Sequence, residues 1–249
     1  MNPPITRRDA LKTVAAVAVA PFAASLAADR AAKIRIGQIG TSHAHAAGKM
    51  EAVRSLTDLY EVVGIAEPIA GRQVSEEKKA YAGLKWLTEE SLLSDKSVKA
   101  VVVETTLGDS ARAALACLCA GKHIHLDKPG AGAHSNFKAL RKEAERRRLT
   151  VQMGYMLRYN PAFELLFRAH REGWIGQITE ICASMGKLAD ARLQAELAGI
   201  PGYGMFELGC HMVDAVVSLL GAPSAVHAFG KPTGLAPAGL PDGQLAVLE

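Results

Sequence analysis

Several broad classes are excluded by what the chain lacks. No apolar run reaches the roughly 20 residues that a spanning helix needs; the N-terminal uncharged stretch Thr13–Ala28 has 16 and contains Pro21. Strong charge of either sign is missing. The formal net charge is +4, residues 1–28 supply two of those positive charges, and the near-balanced remainder does not predict nucleic-acid binding. Cysteine is scarce, with 4 in 249 residues. Cys117 and Cys119 sit two apart on an expected helix and so point to different sides, while Cys182 and Cys210 are isolated, which reads as buried thiols rather than a disulfide framework. Low-complexity sequence is absent, and a hydrophobic content of 49% supports the core of one large or two ordinary domains.

What is present begins with Thr6-Arg7-Arg8-Asp9-Ala10-Leu11-Lys12, followed by Thr13–Ala28 ending in small residues. This reads as a signal peptide over residues 1–28, of twin-arginine type with Ala10 where phenylalanine is usual. It predicts export to the periplasm with no stable membrane span after cleavage. An ordinary secretion signal or an uncleaved anchor stays open.

From Lys33 the pattern alternates strand and helix. Strands are expected at Lys33–Gly40, Tyr60–Ala66, Lys99–Thr105, His123–Leu126 and Thr150–Gly154, with helices at His43–Leu56, Gln73–Tyr81, Ser110–Ala120 and Ser135–Arg148. Repeated βα units predict the α/β class, with a doubly wound parallel sheet covered by helices on both faces. Beyond Gly154 the rhythm changes. A helix is expected over Pro161–Gly173, a strand over Gln177–Met185, an irregular stretch over Leu188–Gly204, a helix over Phe206–Leu220 and a strand from Ala225. The final Gln244–Glu249 reads as a strand without a partner, hence as a C-terminally truncated fragment.

Three constellations carry chemistry. Gly40-Thr41-Ser42-His43-Ala44-His45 follows the first strand and keeps only the first of the three glycines that let a dinucleotide pyrophosphate approach a helix N-terminus. Glu67 ends the second strand 22 residues after His45, where it would receive a ribose hydroxyl. His43 and His45 also have the spacing to ligate a divalent metal, with His125 or His211 as further ligands. Next, the strands expected at Lys99–Thr105 and His123–Leu126 deliver Thr105, Thr106, Asp127 and Lys128 to the same carboxyl edge, where Pro129 keeps Lys128 extended. Finally, Glu207, His211 and Asp214 lie four and three apart, on one face of a regular helix, where flanking carboxylates would orient an imidazole and raise its basicity.

These residues resemble successive landmarks of the Gfo/Idh/MocA oxidoreductases: Gly40-Thr41-Ser42, Gly121 through Asp127-Lys128-Pro129, Arg158-Tyr159-Asn160-Pro161, Gly173-Trp174-Ile175-Gly176, and Gly209-Cys210-His211-Met212-Val213-Asp214. The resemblance implies an N-terminal Rossmann domain, residues 32–154, and a C-terminal α/β domain with an open, mainly antiparallel sheet, residues 155–249 and incomplete. It departs from the family in Asp127 for glutamate, Glu207 for aspartate, Thr106 for proline and Ser110 for histidine.

The function so implied is an exported nicotinamide-dependent oxidoreductase acting on a sugar, polyol or related carbohydrate. Lys128, His211, Glu207 and Asp214 would be catalytic. Gly40, Thr41, Ser42, His43, His45, Glu67, Thr105, Thr106, Asp127 and Lys128 would bind the cofactor, NAD in preference to NADP because Glu67 would repel a 2′-phosphate. No metal is required by this reading, and a homo-oligomeric full-length parent is implied. With a retained cofactor the same site would serve epimerisation or glycoside cleavage. Two alternatives stay open: a non-catalytic carbohydrate-binding protein, and a metal-dependent hydrolase or lyase using His43 and His45.

Overall fold

The computed structural model describes residues 32–70, 79–130, 134–200, 202–236 and 240–249. The signal peptide read at residues 1–28 lies outside them, as does most of the helix expected from Gln73. No helix among the described residues is long and apolar enough to cross a membrane.

Residues Ile34–Glu249 form one compact unit. Its sheet contains β1 (Ile34–Ile39), β2 (Tyr60–Ala66), β3 (Trp86–Leu87), β4 (Ala100–Val103), β5 (His123–Leu126) and β6 (Val151–Met153). They are all parallel and run in the order β3-β2-β1-β4-β5-β6. Helices α1 (Ala46–Ser55), α2 (Glu89–Ser94), α3 (Leu107–Cys119) and α4 (His134–Arg147) form the connections. A parallel neighbour can be reached only by a crossover, so alternate residues of each strand are buried on both faces. On β2, Ile65 packs with Met50 of α1 and Tyr81, whereas the next residue, Ala66, joins Ile39, Leu92, Val101, Leu118 and Leu140 on the opposite face. The strand order reverses direction between β1 and β4, and the crevice at that point is where such sheets bind ligands.

Sequence and structure differ in particular places. The two-residue β3 and the six-residue α2 are too short to show a period, and the latter is recognisable only by its N-cap, Thr88, whose Oγ1 accepts the Ser91 N–H at 3.0 Å. The strand expected at Gln177–Met185 is not one, since no described segment pairs with it and a strand exists only in a ladder. Helix α6 (Ala191–Ala198) stands where irregular chain was expected, capped by Asp190, whose carboxylate accepts the Leu193 N–H at 2.8 Å. Before it, α5 (Pro161–Arg171) has Asn160 as its N-cap and proline in its first turn. The helix expected from Phe206 is two pieces, a π-helical turn at Met205–Gly209 and α7 (Cys210–Leu220).

The strand at the end of the sequence does have a partner: β8 (Gly243–Leu248) pairs antiparallel with β7 (Val226–Lys231). Of the cysteines, Cys117 is buried, but Cys119 and Cys182 are exposed rather than buried.

Candidate functional site

Gly40 closes β1 with φ of +85°, a left-handed value that L side chains adopt at a cost. A Cβ there would stand 2.7 Å from the Thr105 backbone nitrogen and 2.8 Å from the Glu104 carbonyl. Backbone cannot yield as a side-chain tip does. Gly40→Ala is therefore expected to lower stability by more than the about 1–2 kcal/mol of the conformational term alone, seen as an earlier thermal unfolding transition. An unchanged midpoint would show that the turn relaxes around the methyl group.

The glycine leads the chain into a turn held by Glu67 at the end of β2. The Glu67 carboxylate accepts Thr41 N–H at 2.9 Å, the Thr41 hydroxyl at 2.7 Å and Ile69 N–H at 3.0 Å. Ser42 Oγ is buried without a hydrogen-bond partner. Helix α1 starts at His45 with no side-chain cap and no acid in its first turn. An orphaned hydroxyl, an uncapped helix N-terminus and a glycine whose missing Cβ lets two backbones touch together suit the anionic bridge of a dinucleotide. Its ribose would share Glu67 with Thr41. Thr105 is buried, and Thr106 takes the N-cap position of α3.

Parallel pairing of β4 with β5 aligns Val103 with Leu126, so the next residues of each strand, Glu104 and Asp127, emerge side by side. Glu104 is 1% exposed and neither carboxylate oxygen has a hydrogen-bond partner. Burial pushes its carboxyl above the usual range, and the Asp127 charge adds to that against the pull of His43 and Lys49. Asp127 goes the other way. Burial opposes its ionisation, yet the His45 hydrogen bond and the neighbouring His43 and Lys49 hold it well below the carboxylate range. The contacts are short: Asp127 Oδ2 lies 2.9 Å from His45 Nδ1, 3.3 Å from His43 Nδ1 and 3.4 Å from Lys49 Nζ. Lys49 also meets His125 Nε2. Gly154 permits this, since a Cβ there would fall 2.7 Å from Asp127 Oδ1.

Lys128 is 4% exposed. Its ammonium donates to Glu207 Oε1 at 2.5 Å and to the Glu207 carbonyl at 3.0 Å. Despite burial, that ammonium holds the Glu207 carboxyl below its ordinary value, with Lys187 at 3.7 Å adding to it. The pairing differs from the arrangement expected for a regular helix. The π turn Met205–Gly209 shifts Glu207 off the His211 face, and the carboxylate meets Lys128 instead. Asp214 likewise serves Arg158, in a bidentate pair at 2.6–3.1 Å. His211 is therefore left 4% exposed, with Nδ1 unpartnered and its ring edge-on to Tyr155 at 6.3 Å between centroids. Burial, then the Lys128 charge, lowers its pKa below the ordinary imidazole value.

His211 lines a cavity of about 340 Å³ together with His45, Lys49, His125, Tyr155 and Tyr159. Of the residues the sequence brought forward, Gly40 and Lys128 follow β1 and β5 at the carboxyl edge, and His211 lies near enough to Lys128 to be acted on by its charge. It passed over Glu104, Lys49, Tyr155 and Tyr159. An acid one residue beyond the end of β4, matching Asp127 beyond β5, was the one readable signal.

Comparison with known proteins agrees with this geometry. A family model described as "Oxidoreductase family, NAD-binding Rossmann fold" matches residues 34–155. The chain is 24% identical over 177 residues to scyllo-inositol 2-dehydrogenase (NADP(+)) IolW of Bacillus subtilis, covering 70% of this chain and 49% of that protein. It is 27% identical over 150 residues to inositol 2-dehydrogenase of Salmonella paratyphi B, covering 59% and 43% respectively. Among solved structures, an NAD-binding protein from Listeria innocua superposes with a TM-score of 0.67 at 21% identity, over 86% of this chain and 62% of that one. The chain thus spans about half the length of the curated relatives it matches. With the strand order, the glycine turn and the Asp127-Lys128-Pro129 landmark in place, the chain belongs, through its residues 34–155, to the Gfo/Idh/MocA family of oxidoreductases.

Proposed function

We propose that the protein is an exported oxidoreductase that uses NAD to oxidise a carbon bearing a hydroxyl group in a sugar, polyol or related carbohydrate. Residues 1–28 would be its twin-arginine signal, 32–154 the nucleotide-binding domain and 155–249 the part that meets substrate. The observation that carries this reading is a buried histidine of lowered pKa that lines a cavity and stands close enough to the buried Lys128 ammonium to be acted on by its charge.

The nicotinamide, when bound, would accept the hydride. His211, kept neutral by burial, takes the hydroxyl proton at a ring nitrogen. Lys128 has three protons and gives two to Glu207, so the third remains for the substrate oxygen as negative charge develops on it. Glu207 thereby acts through Lys128, fixing where the ammonium points. Tyr155 and Tyr159 also line this cavity.

Denaturing the folded, exported protein and identifying released nucleotide by mass spectrometry tests the cofactor. For a protein that exchanges its nucleotide, titration with NAD and NADP takes its place. Tighter binding of NAD is expected, because a 2′-phosphate would meet the Glu67 carboxylate. Protein that neither carries nor binds either dinucleotide, yet binds a sugar, would overturn the oxidoreductase reading in favour of a binding protein.

A further inference from the structure

Two imidazoles, two carboxylates and one ammonium crowd the end of the first β–α turn, more ionisable groups than dinucleotide binding accounts for. One ring nitrogen each of His43 and His45 and an Asp127 carboxylate oxygen all lie within 4.8 Å of one another. Around a zinc-sized ion, with ligand bonds of about 2.0–2.2 Å, tetrahedral ligand atoms stand about 3.4 Å apart. The observed 2.9 and 3.3 Å to Asp127 need only tenths of an ångström to reach it.

A second observation points to a cation independently of that spacing. Glu104 has a side chain with no exposed surface and two oxygens without a hydrogen bond. One of them lies 3.4 Å from His43 Nδ1 and the other 4.0 Å from Lys49 Nζ. His43 Nδ1 accepts the His45 backbone N–H at 3.3 Å. In that tautomer Nδ1 carries no proton to give either carboxylate, which leaves both short of positive charge. Lys49 supplies some from one side. Its side chain is 27% exposed on a flexible stem and can withdraw to solvent.

We propose that His43, His45 and Asp127 form a binding site for one first-row divalent ion of the zinc type, with the Glu104 carboxylate as the buried acceptor behind it. Two imidazoles and one carboxylate leave a fourth position open, and that donor set suits zinc, cobalt or nickel better than magnesium or calcium. His45 also lines the cavity, so the ion would stand at the cavity's edge. The site explains why imidazole occupies the sixth fingerprint position, where close approach of a pyrophosphate favours glycine. It does not depend on the oxidoreductase reading, because binding is read directly.

The experiment titrates the full chain, stripped with chelator, with zinc by calorimetry and with cobalt by visible absorption. The expected result is one ion per chain and a cobalt spectrum of tetrahedral intensity. His43→Ala and His45→Ala should each weaken zinc binding by at least about 100-fold, while His227→Ala, on the exposed β7, leaves it unchanged. His45 is half exposed, so its truncation is tolerated by the fold, and circular dichroism of each variant checks this. Absence of stoichiometric binding by the wild-type chain, or equal affinity in the folded His43→Ala/His45→Ala double variant, would overturn the proposal.

Discussion

Lys128→Met is expected to lose both turnover and stability, for separable reasons. The ammonium is buried and pairs with a buried Glu207 carboxylate at 2.5 Å. Removing one partner strands the other charge, at a cost of about 3–5 kcal/mol. For a chain of this size that lowers the melting temperature by about 6–20 °C. Lys187, 3.7 Å from Glu207 and partly exposed, offsets some of the loss. On the proposed function, turnover should fall by about 10²–10³-fold, the usual effect of deleting one donor to a developing oxyanion.

The pair Lys128→Met/Glu207→Gln distinguishes the two effects. With no stranded carboxylate it should melt several degrees above Lys128→Met, yet turn over no faster. A double variant that matches Glu207→Gln in kcat would assign Lys128 a purely structural role.

How much of this arrangement could be read in advance follows from what each feature depends on. Strand β2 was expected at Tyr60–Ala66 and lies there, because seven residues between turns, rich in β-branched side chains, leave little choice. The glycine turn was legible because a left-handed φ selects glycine locally. The place of Glu104 just beyond β4 was legible, but its burial against Asp127 was not, since that is created by the register of β4 on β5, a property of two segments 20 residues apart. The Glu207–Lys128 pair was hidden for a different reason. A spacing of four means one face only if the helix is regular, and the π turn at Met205–Gly209 breaks that assumption. The pairings therefore differ from those expected: Glu207 meets Lys128 and Asp214 meets Arg158. What remained was an imidazole with no carboxylate to orient it.

That isolation makes His211 the source of a distinctive pH dependence. Burial and the Lys128 charge both disfavour the imidazolium, so the folded-state pKa lies below the ordinary value of 6.5. In the role of base proposed for it, His211 must be neutral. The acid limb of kcat/KM should accordingly fall below pH 6.5, where an unperturbed histidine would already be half protonated. His211→Asn should lower kcat/KM by about 10²–10⁴-fold and erase that limb.

The same shift acts on stability, with a sign opposite to that of a salt-bridged histidine. Between the folded pKa and 6.5 the unfolded chain binds the extra proton, so stability declines as pH falls through that window and levels off below it. Glu207 acts lower on the scale. Its depressed pKa gives stability that is present above 4.5 and lost as pH falls through the folded value. Urea unfolding of wild type and His211→Asn across this range should give curves that converge above pH 7 in slope and diverge below 6.5, the variant being less pH-sensitive there. Parallel curves, or an acid limb that survives His211→Asn, would move the base elsewhere, with His125 as the next candidate. Its imidazole lines the same cavity, and burial, followed by the Lys49 charge, lowers its pKa in the same direction.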